Sequence, residues 1–312
     1  MKMLNLTPMG TVPLIPSLAL KVRNKHWFRR LGTVPEQRRP FTQRLSPKIP
    51  RYGKIGGQLF PSVRYTMIPI SYLNAVRGIL DHLEQTQLDN VDRAADLIIE
   101  ALTHGGAVFC AEIGHSNQHD FLNRAGGLAA VHAFSFNCNI NDVVADCLKD
   151  RPRPESFERD LETVRFAVKA GNLRAGDVMM VGSVSGKSRY PVQLTLACHE
   201  IGVKVIGFTS LAYTARVQSQ HPTGKKLVDV ADVVIDNGAP FGDAAVQVPG
   251  IDVDVLPVSG VAMIVAGWMI FGRVMEKMAA AGNPPSVYMS INREEGPAYY
   301  EASKKRYQER GY

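Results

Sequence analysis

The chain is predicted to be an α/β protein, a doubly wound parallel sheet flanked by helices, from three observations. Short apolar runs without polar alternation recur along it, as strands covered on both faces require. Stretches of helical periodicity follow them, the alternation that builds βαβ units. A turn rich in Ser and Gly stands at the carboxyl end of one such run, within Asp177–Ser210, directly ahead of a helix.

Residues 1–66 stand apart. They hold thirteen Lys and Arg against the single acid Glu36, with eight prolines and no persistent period, and are expected to be a disordered basic extension. A targeting segment, a basic arm and sequence upstream of a start at Met67 all fit; the clean beginning at Met67 favours the last. The remaining residues carry twenty-three basic and twenty-eight acidic side chains. The folded body is therefore mildly acidic despite a whole-chain charge of +7, and no nucleic-acid partner is expected for it.

From Met67 the elements follow in order. Leu73, Val76, Ile79, Leu80 and Leu83 have helical spacing over 71–87, and a second helix follows Asn90 as a plausible cap, ended by Gly105-Gly106. Ala107–Ala111 is a buried strand opening into the loop Glu112-Ile113-Gly114-His115-Ser116. A helix to Gly126-Gly127 and a strand near 131–136 complete one βαβ unit. Pro152 and Pro154 break the chain before a helix over about 155–170. Val178–Val181 is the central strand, Ser183–Ser188 the turn, and Pro191 sits where a helix begins, its fixed φ suited to the first turn. Gly202 stops that helix and 203–208 is the next strand. A short helix over 211–219, a loop at 221–226, a strand over 232–236, an apolar helix over 259–280 and a loose charged helix over 299–312 finish the chain. The domain boundaries expected are thus 1–66, 67–290 and a tail at 291–312. The apolar run 261–272 is too short for a bilayer, so no membrane partner is expected. Four cysteines without C-x-x-C spacing read as reduced, mostly buried thiols of a cytoplasmic protein.

The turn carries the chemistry. Free N–H groups at a helix start attract an anion, hydroxyls of Ser183, Ser185 and Ser188 add donors, and Gly186 permits close backbone approach. Lys187 either adds a point charge or projects into solvent. The turn is not a nucleotide P-loop, which has four residues between its first Gly and the Gly-Lys pair; Gly182 and Gly186 enclose three. A bare Ser-rich helix cap is the plain alternative.

These residues resemble the SIS (sugar isomerase) domain family, closest to a bacterial branch of sugar-isomerase-domain proteins. Gly114-His115-Ser116, Arg124-Ala125-Gly126-Gly127-Leu128, Ser183–Ser188, Lys204–Ala212, His221–Lys226, Ala231–Gly238 and Gly242-Asp243-Ala244 carry the resemblance, over about 71–290. It implies five parallel strands, a phosphosugar held by the Ser turn, and a homodimer or homotetramer with sites near subunit interfaces. Two positions depart from the pattern. Glu112-Ile113 replaces a small Gly-Thr start of the first loop, and Val184 replaces an Asn that could bind a sugar hydroxyl.

The expected function is binding of a phosphorylated sugar, with aldose–ketose isomerisation as the activity. The alternatives are an amino-sugar-phosphate lyase or etherase and a non-catalytic phosphosugar sensor. Glu112 and His221 are the candidate catalytic residues. A partly buried carboxylate can move a proton between adjacent carbons, and an imidazole on a loop titrates near neutrality. Pairing with an Arg, for Glu112, and a loop-stabilising hydrogen bond, for His221, are the plain alternatives. His115, Ser116 and Asp243 are further ligand-binding candidates, with helix capping for Ser116 and turn formation for Asp243 as their rivals. His115 and His119 have i, i+4 spacing, but no third ligand stands at a motif spacing, so neither a metal nor a cofactor is expected.

Overall fold

The computed structural model describes residues 67–111, 118–152 and 157–312. The basic extension 1–66 lies outside them. Helices α1 (Ile68–Thr86) and α2 (Leu88–Thr103) lead into β1 (Val108–Ala111), short helix α3 (Gln118–Phe121) and β2 (Val131–Phe134). Then come α4 (Arg159–Ala170), β3 (Val178–Gly182), α5 (Arg189–Glu200), β4 (Lys204–Thr209), α6 (Leu211–Thr214), α7 (Leu227–Val230) and β5 (Val233–Asp236). A hairpin of β6 (Ala244–Val246) and β7 (Val255–Pro257), the long α8 (Ser259–Ala280) and α9 (Gly296–Arg310) complete the chain.

The five strands β1–β5 form one sheet in the order β2-β1-β3-β4-β5, every pair parallel. Helices cover both faces, which explains the unbroken apolar strands. Val178 and Met180 of β3 enter the core beneath α1, α2 and α8, while Met179 and Val181 enter the core beneath α4 and α5. The strand order reverses between β1 and β3. Loops leaving their carboxyl ends diverge there, and open α/β sheets bind ligands in the crevice so formed.

Helix α8 is 22 residues long and apolar enough to span a bilayer by length and composition. Its apolar face is nevertheless used within the fold: Ala262, Met263, Ala266, Ile270, Phe271 and Val274 are buried in the core that α1 and α2 share. Gly267 lets α8 close on Phe121, since a Cβ there would sit 2.3 Å from the ring's Cζ.

Three local expectations differ. The helix after β1 stops at Phe121 instead of running to 126, because the chain turns left-handed at Asn123 (φ 53°). The last helix is docked rather than loose. Ser303 Oγ donates to the Val287 carbonyl at 2.8 Å, Tyr300 stacks on Tyr288, and the Tyr307 hydroxyl meets His132 Nε2 on β2. Of the four thiols only Cys110 and Cys198 are buried, their pKa values pushed up to about 12 by burial; Cys138 and Cys147 are exposed.

Candidate functional site

The turn 183–188 connects β3 to α5 at the crevice, and its backbone is bound from three sides. Ser183 N donates to the Phe208 carbonyl and Ser210 N to the Val184 carbonyl, each at 2.9 Å. Thr214 Oγ1 donates to the Ser185 carbonyl at 3.0 Å and Leu227 N to the Gly186 carbonyl at 2.8 Å. Thr209 Oγ1 adds a bond to the Val184 carbonyl at 3.2 Å and lies 3.1 Å from Thr214 Oγ1. Five such bonds, each worth about 1 kcal/mol net, hold the turn to β4 and the segments after it.

Gly186 has φ +62°, and a Cβ there would lie 2.9 Å from Thr209 Oγ1 and 3.0 Å from Thr214 Oγ1. Glycine here lets the turn close on its own support. Val184 is 5% exposed and belongs to the core. At the position where a ligand-facing amide was the alternative, this chain places an apolar side chain that faces inward.

The groups left over form the candidate site. The hydroxyls of Ser183, Ser185 and Ser188 have no hydrogen-bond partner among the described residues, and Ser188, the N-cap of α5, does not cap with its side chain. The backbone N–H groups of Ser185, Lys187, Ser188, Arg189 and Tyr190 likewise donate to nothing among those residues. Hydroxyls and amides gathered at the positive end of a three-turn helix are the groups an anion can accept from. Lys187 is half-buried, with an ammonium free of ion pairs among the described residues.

Arg189, not singled out by the sequence, enters beside the turn. Its Nε donates to Asp160 Oδ2 at 2.7 Å and its guanidinium also meets Glu158, so its charge is committed to the start of α4. These bonds to Arg189 hold the Asp160 carboxyl below the usual carboxylate range. Its position directly after Ser188 was the available signal.

His221 is 6% exposed. Its Nε2 lies 3.0 Å from Gln193 Oε1 on α5 and its Nδ1 lies 2.8 Å from Thr223 Oγ1. Gln220 N donates to the Lys187 carbonyl at 2.9 Å, so this loop and the turn are joined directly. Gln193 was missed because a Gln inside an apolar helix carries no motif. Burial, and secondarily the Arg189 charge, lowers the His221 pKa against the opposing pull of Asp160 and Glu158. Burial also lowers that of His132, with Asp177 opposing.

Both histidines fold as the neutral form, so the unfolded chain binds more protons once the pH drops to about 6.5. Stability from this source is complete above that pH and is lost as the pH falls toward the lower folded values. Melting temperature is therefore expected to fall between about pH 7.5 and about pH 5.5, with a shallower slope for His221→Gln.

Asp243 (φ +67°) lies at the far end of the loop after β5, and its carboxylate is engaged. It accepts from Ser259 N at 2.9 Å and Ser259 Oγ at 2.7 Å, holding the first turn of α8. Glu112, His115 and Ser116 lie in the segment 112–117, outside the described residues. Its neighbour Gln118 is buried and donates through Nε2 to the Cys110 carbonyl at 2.8 Å, which joins α3 to the end of β1. A depression of about 430 Å³ lies between the β2 edge and α4. It is lined by Phe109, Phe134, Phe136 and Phe166 and has no charged group suited to an anion.

Comparison with known proteins agrees with this architecture. The family model described as SIS domain matches residues 71–210. A UPF0309 protein of Listeria innocua is 31% identical over 243 residues, spanning 77% of this chain and 96% of its own. Another, from Halalkalibacterium halodurans, is 35% identical over 180 residues, spanning 57% of this chain and 72% of its own. Among solved structures, a phosphoheptose isomerase from Neisseria gonorrhoeae aligns with 66% of this chain and 96% of its own at 17% identity and a TM-score of 0.41. The sugar isomerase domain of an RpiR transcription factor from Sphaerobacter thermophilus covers 78% of this chain and 98% of its own, at 16% identity and a TM-score of 0.40. Likenesses this remote add nothing to the topology read from the strands themselves.

Proposed function

Because this chain belongs to the UPF0309 family and carries a SIS domain over residues 71–210, we propose that it binds a phosphorylated sugar and interconverts its aldose and ketose forms. The observation that supports this most directly is the set of hydroxyls (Ser183, Ser185, Ser188) and N–H groups (185 and 187–190) with no partner among the described residues, at the crevice beside β1. A phosphate dianion offers several acceptor oxygens and no donors, which matches hydroxyls and N–H groups that can all donate to it. Lys187 adds a positive charge at the rim. The rigid backbone of the turn orders these donors before the ligand arrives, so little entropy is lost on binding.

Isomerisation requires a proton to move between neighbouring carbons of the open-chain sugar. Glu112, which follows β1 in the sequence, is the carboxylate proposed to move it. His221 can take part only by releasing Gln193 or Thr223, a coupling between proton transfer and the loop that holds Lys187. His115, Ser116 and Asp243 remain proposed contacts for the sugar hydroxyls. The sugar-binding unit is taken to run over 67–290, in a homodimer or homotetramer. Exposed Ile70, Leu73 and Leu80, at helical spacing on α1, are the apolar surface that supports assembly.

The experiment is a panel of aldose and ketose phosphates followed by NMR, with wild type and Glu112→Gln. Turnover of one sugar, reduced about 10²–10⁴-fold by the variant, is the expected result. Saturable binding without turnover of any sugar would replace the enzyme by a sensor, a reading favoured by the fully engaged His221 ring. Absence of binding across the panel and for inorganic phosphate would remove the sugar-phosphate reading.

A further inference from the structure

The first turn of α5 carries a guanidinium with donors to spare. Arg189 follows Ser188 directly and is the first residue of the helix, so its own N–H belongs to the donors without a partner among the described residues. Every Cα–Cβ bond of an α-helix leans toward the amino terminus, which starts this side chain toward the end where those donors gather. A guanidinium has five N–H bonds. Nε and Nη2 take Asp160 as a fork, at 2.7 Å to Oδ2 and 3.0 Å to Oδ1, and Nη2 also meets Glu158. Both N–H bonds of Nη1 remain, with no acceptor among the described residues.

The packing around α5 ties this side chain to the turn. Arg189 and Gln193 stand four apart and so share one face of the helix. Gln193 Oε1 lies 3.0 Å from His221 Nε2, and the neighbouring Gln220 N donates to the Lys187 carbonyl at 2.9 Å. One loop thus meets the face of α5 that carries Arg189 and grips the turn beside Ser188. The charges of Arg189, Asp160 and Glu158 all bear on the His221 ring, which puts the three of them next to that loop.

The two carboxylates hold the arginine loosely. The side chains of Glu158 and Asp160 are 54% and 50% exposed, against 30% for Arg189. Ion pairs this open to water are weak, whereas a guanidinium on a phosphate dianion combines full charge with matched geometry. One guanidinium and two carboxylates also sum to a single negative charge, which opposes an arriving anion. A dianion that engages the hydroxyls of the turn as well gains the further bond from Nη1; a small monoanion faces the carboxylates instead.

We propose that Arg189 is a phosphate-binding residue of the site, donating through Nη1 to the phosphate of the sugar, and that Asp160 and Glu158 compete with that phosphate for the same guanidinium. This rests on the sugar-phosphate reading above.

Calorimetry on the full chain tests it, with inorganic phosphate and the panel of aldose and ketose phosphates as probes. Wild type is set beside Arg189→Gln, Arg189→Lys and the double variant Glu158→Gln/Asp160→Asn. Arg189→Gln is expected to lose about 10–100-fold in affinity for each phosphate that wild type binds, as the loss of a hydrogen bond to a charged oxygen implies. Arg189→Lys, which keeps the charge but lacks Nη1, is expected to recover only part of that loss. The double acid variant breaks the same ion pairs and is expected to bind phosphate at least as tightly as wild type. Weakening there as large as in Arg189→Gln makes the arginine a tie between α4 and α5 and overturns the proposal. Wild-type affinity in Arg189→Gln overturns it too, and both results leave binding by the turn standing. Failure of wild type to bind any probe overturns the proposal together with the reading it rests on. If Arg189→Gln does not fold, Arg189→Lys decides, and wild-type affinity there overturns the proposal.

Discussion

Gly186→Val is expected to abolish sugar-phosphate binding and to destabilise the protein by roughly 2–5 kcal/mol. Two costs add. A branched residue at φ +62° pays about 1–2 kcal/mol for the left-handed conformation. Its first side-chain carbon would also press on Thr209 Oγ1 and Thr214 Oγ1, which brace the turn, and overpacking of this kind costs about 1–3 kcal/mol. Since those hydroxyls hold the Val184 and Ser185 carbonyls, their displacement tilts the donors that face the ligand. Urea denaturation measures the first effect and calorimetry with a sugar phosphate the second. A variant with unchanged midpoint and affinity would show that the turn does not depend on Thr209 and Thr214.

The double variant Ser185→Ala/Ser188→Ala is expected to lose about 10²–10⁴-fold in sugar-phosphate affinity while its melting temperature stays close to wild type. A hydrogen bond to a charged oxygen is worth about 1.5–3 kcal/mol, and the two hydroxyls contribute nothing to the fold that their removal would undo. The separation of the two readouts is the informative part. Gly186→Val damages support and binding together, whereas the Ser pair should damage binding alone. Calorimetry showing unchanged affinity would remove these hydroxyls from the site.

The central βαβ unit was legible because its punctuation is local. Buried runs, Pro191 and Gly202 stand where a strand, a helix start and a helix stop need them. Even so, α5 begins at Arg189, two residues before Pro191, because the turn ends in an extended Ser188 instead of continuing. The β6–β7 hairpin was not legible: its three-residue strands are Ala-Ala-Val and Val-Leu-Pro, without alternation, and they pair across a loop of eight residues, 247–254.

At the site, the Ser turn could be found from composition, but the work of Thr209, Thr214 and Gln193 could not, since each acts through a contact between separate elements. Gly186 has a clear structural reason, but only the packed fold shows what it makes room for.

The inward-facing Val184 carries an evolutionary consequence. One residue of the turn proposed to bind the sugar doubles as a brick of the interior, so swapping it would tax the whole fold. Starting from this sequence, changes of ligand preference should therefore run through positions 183, 185, 187 and 188, because a replacement at 184 has to fill the buried apolar volume that Val184 occupies.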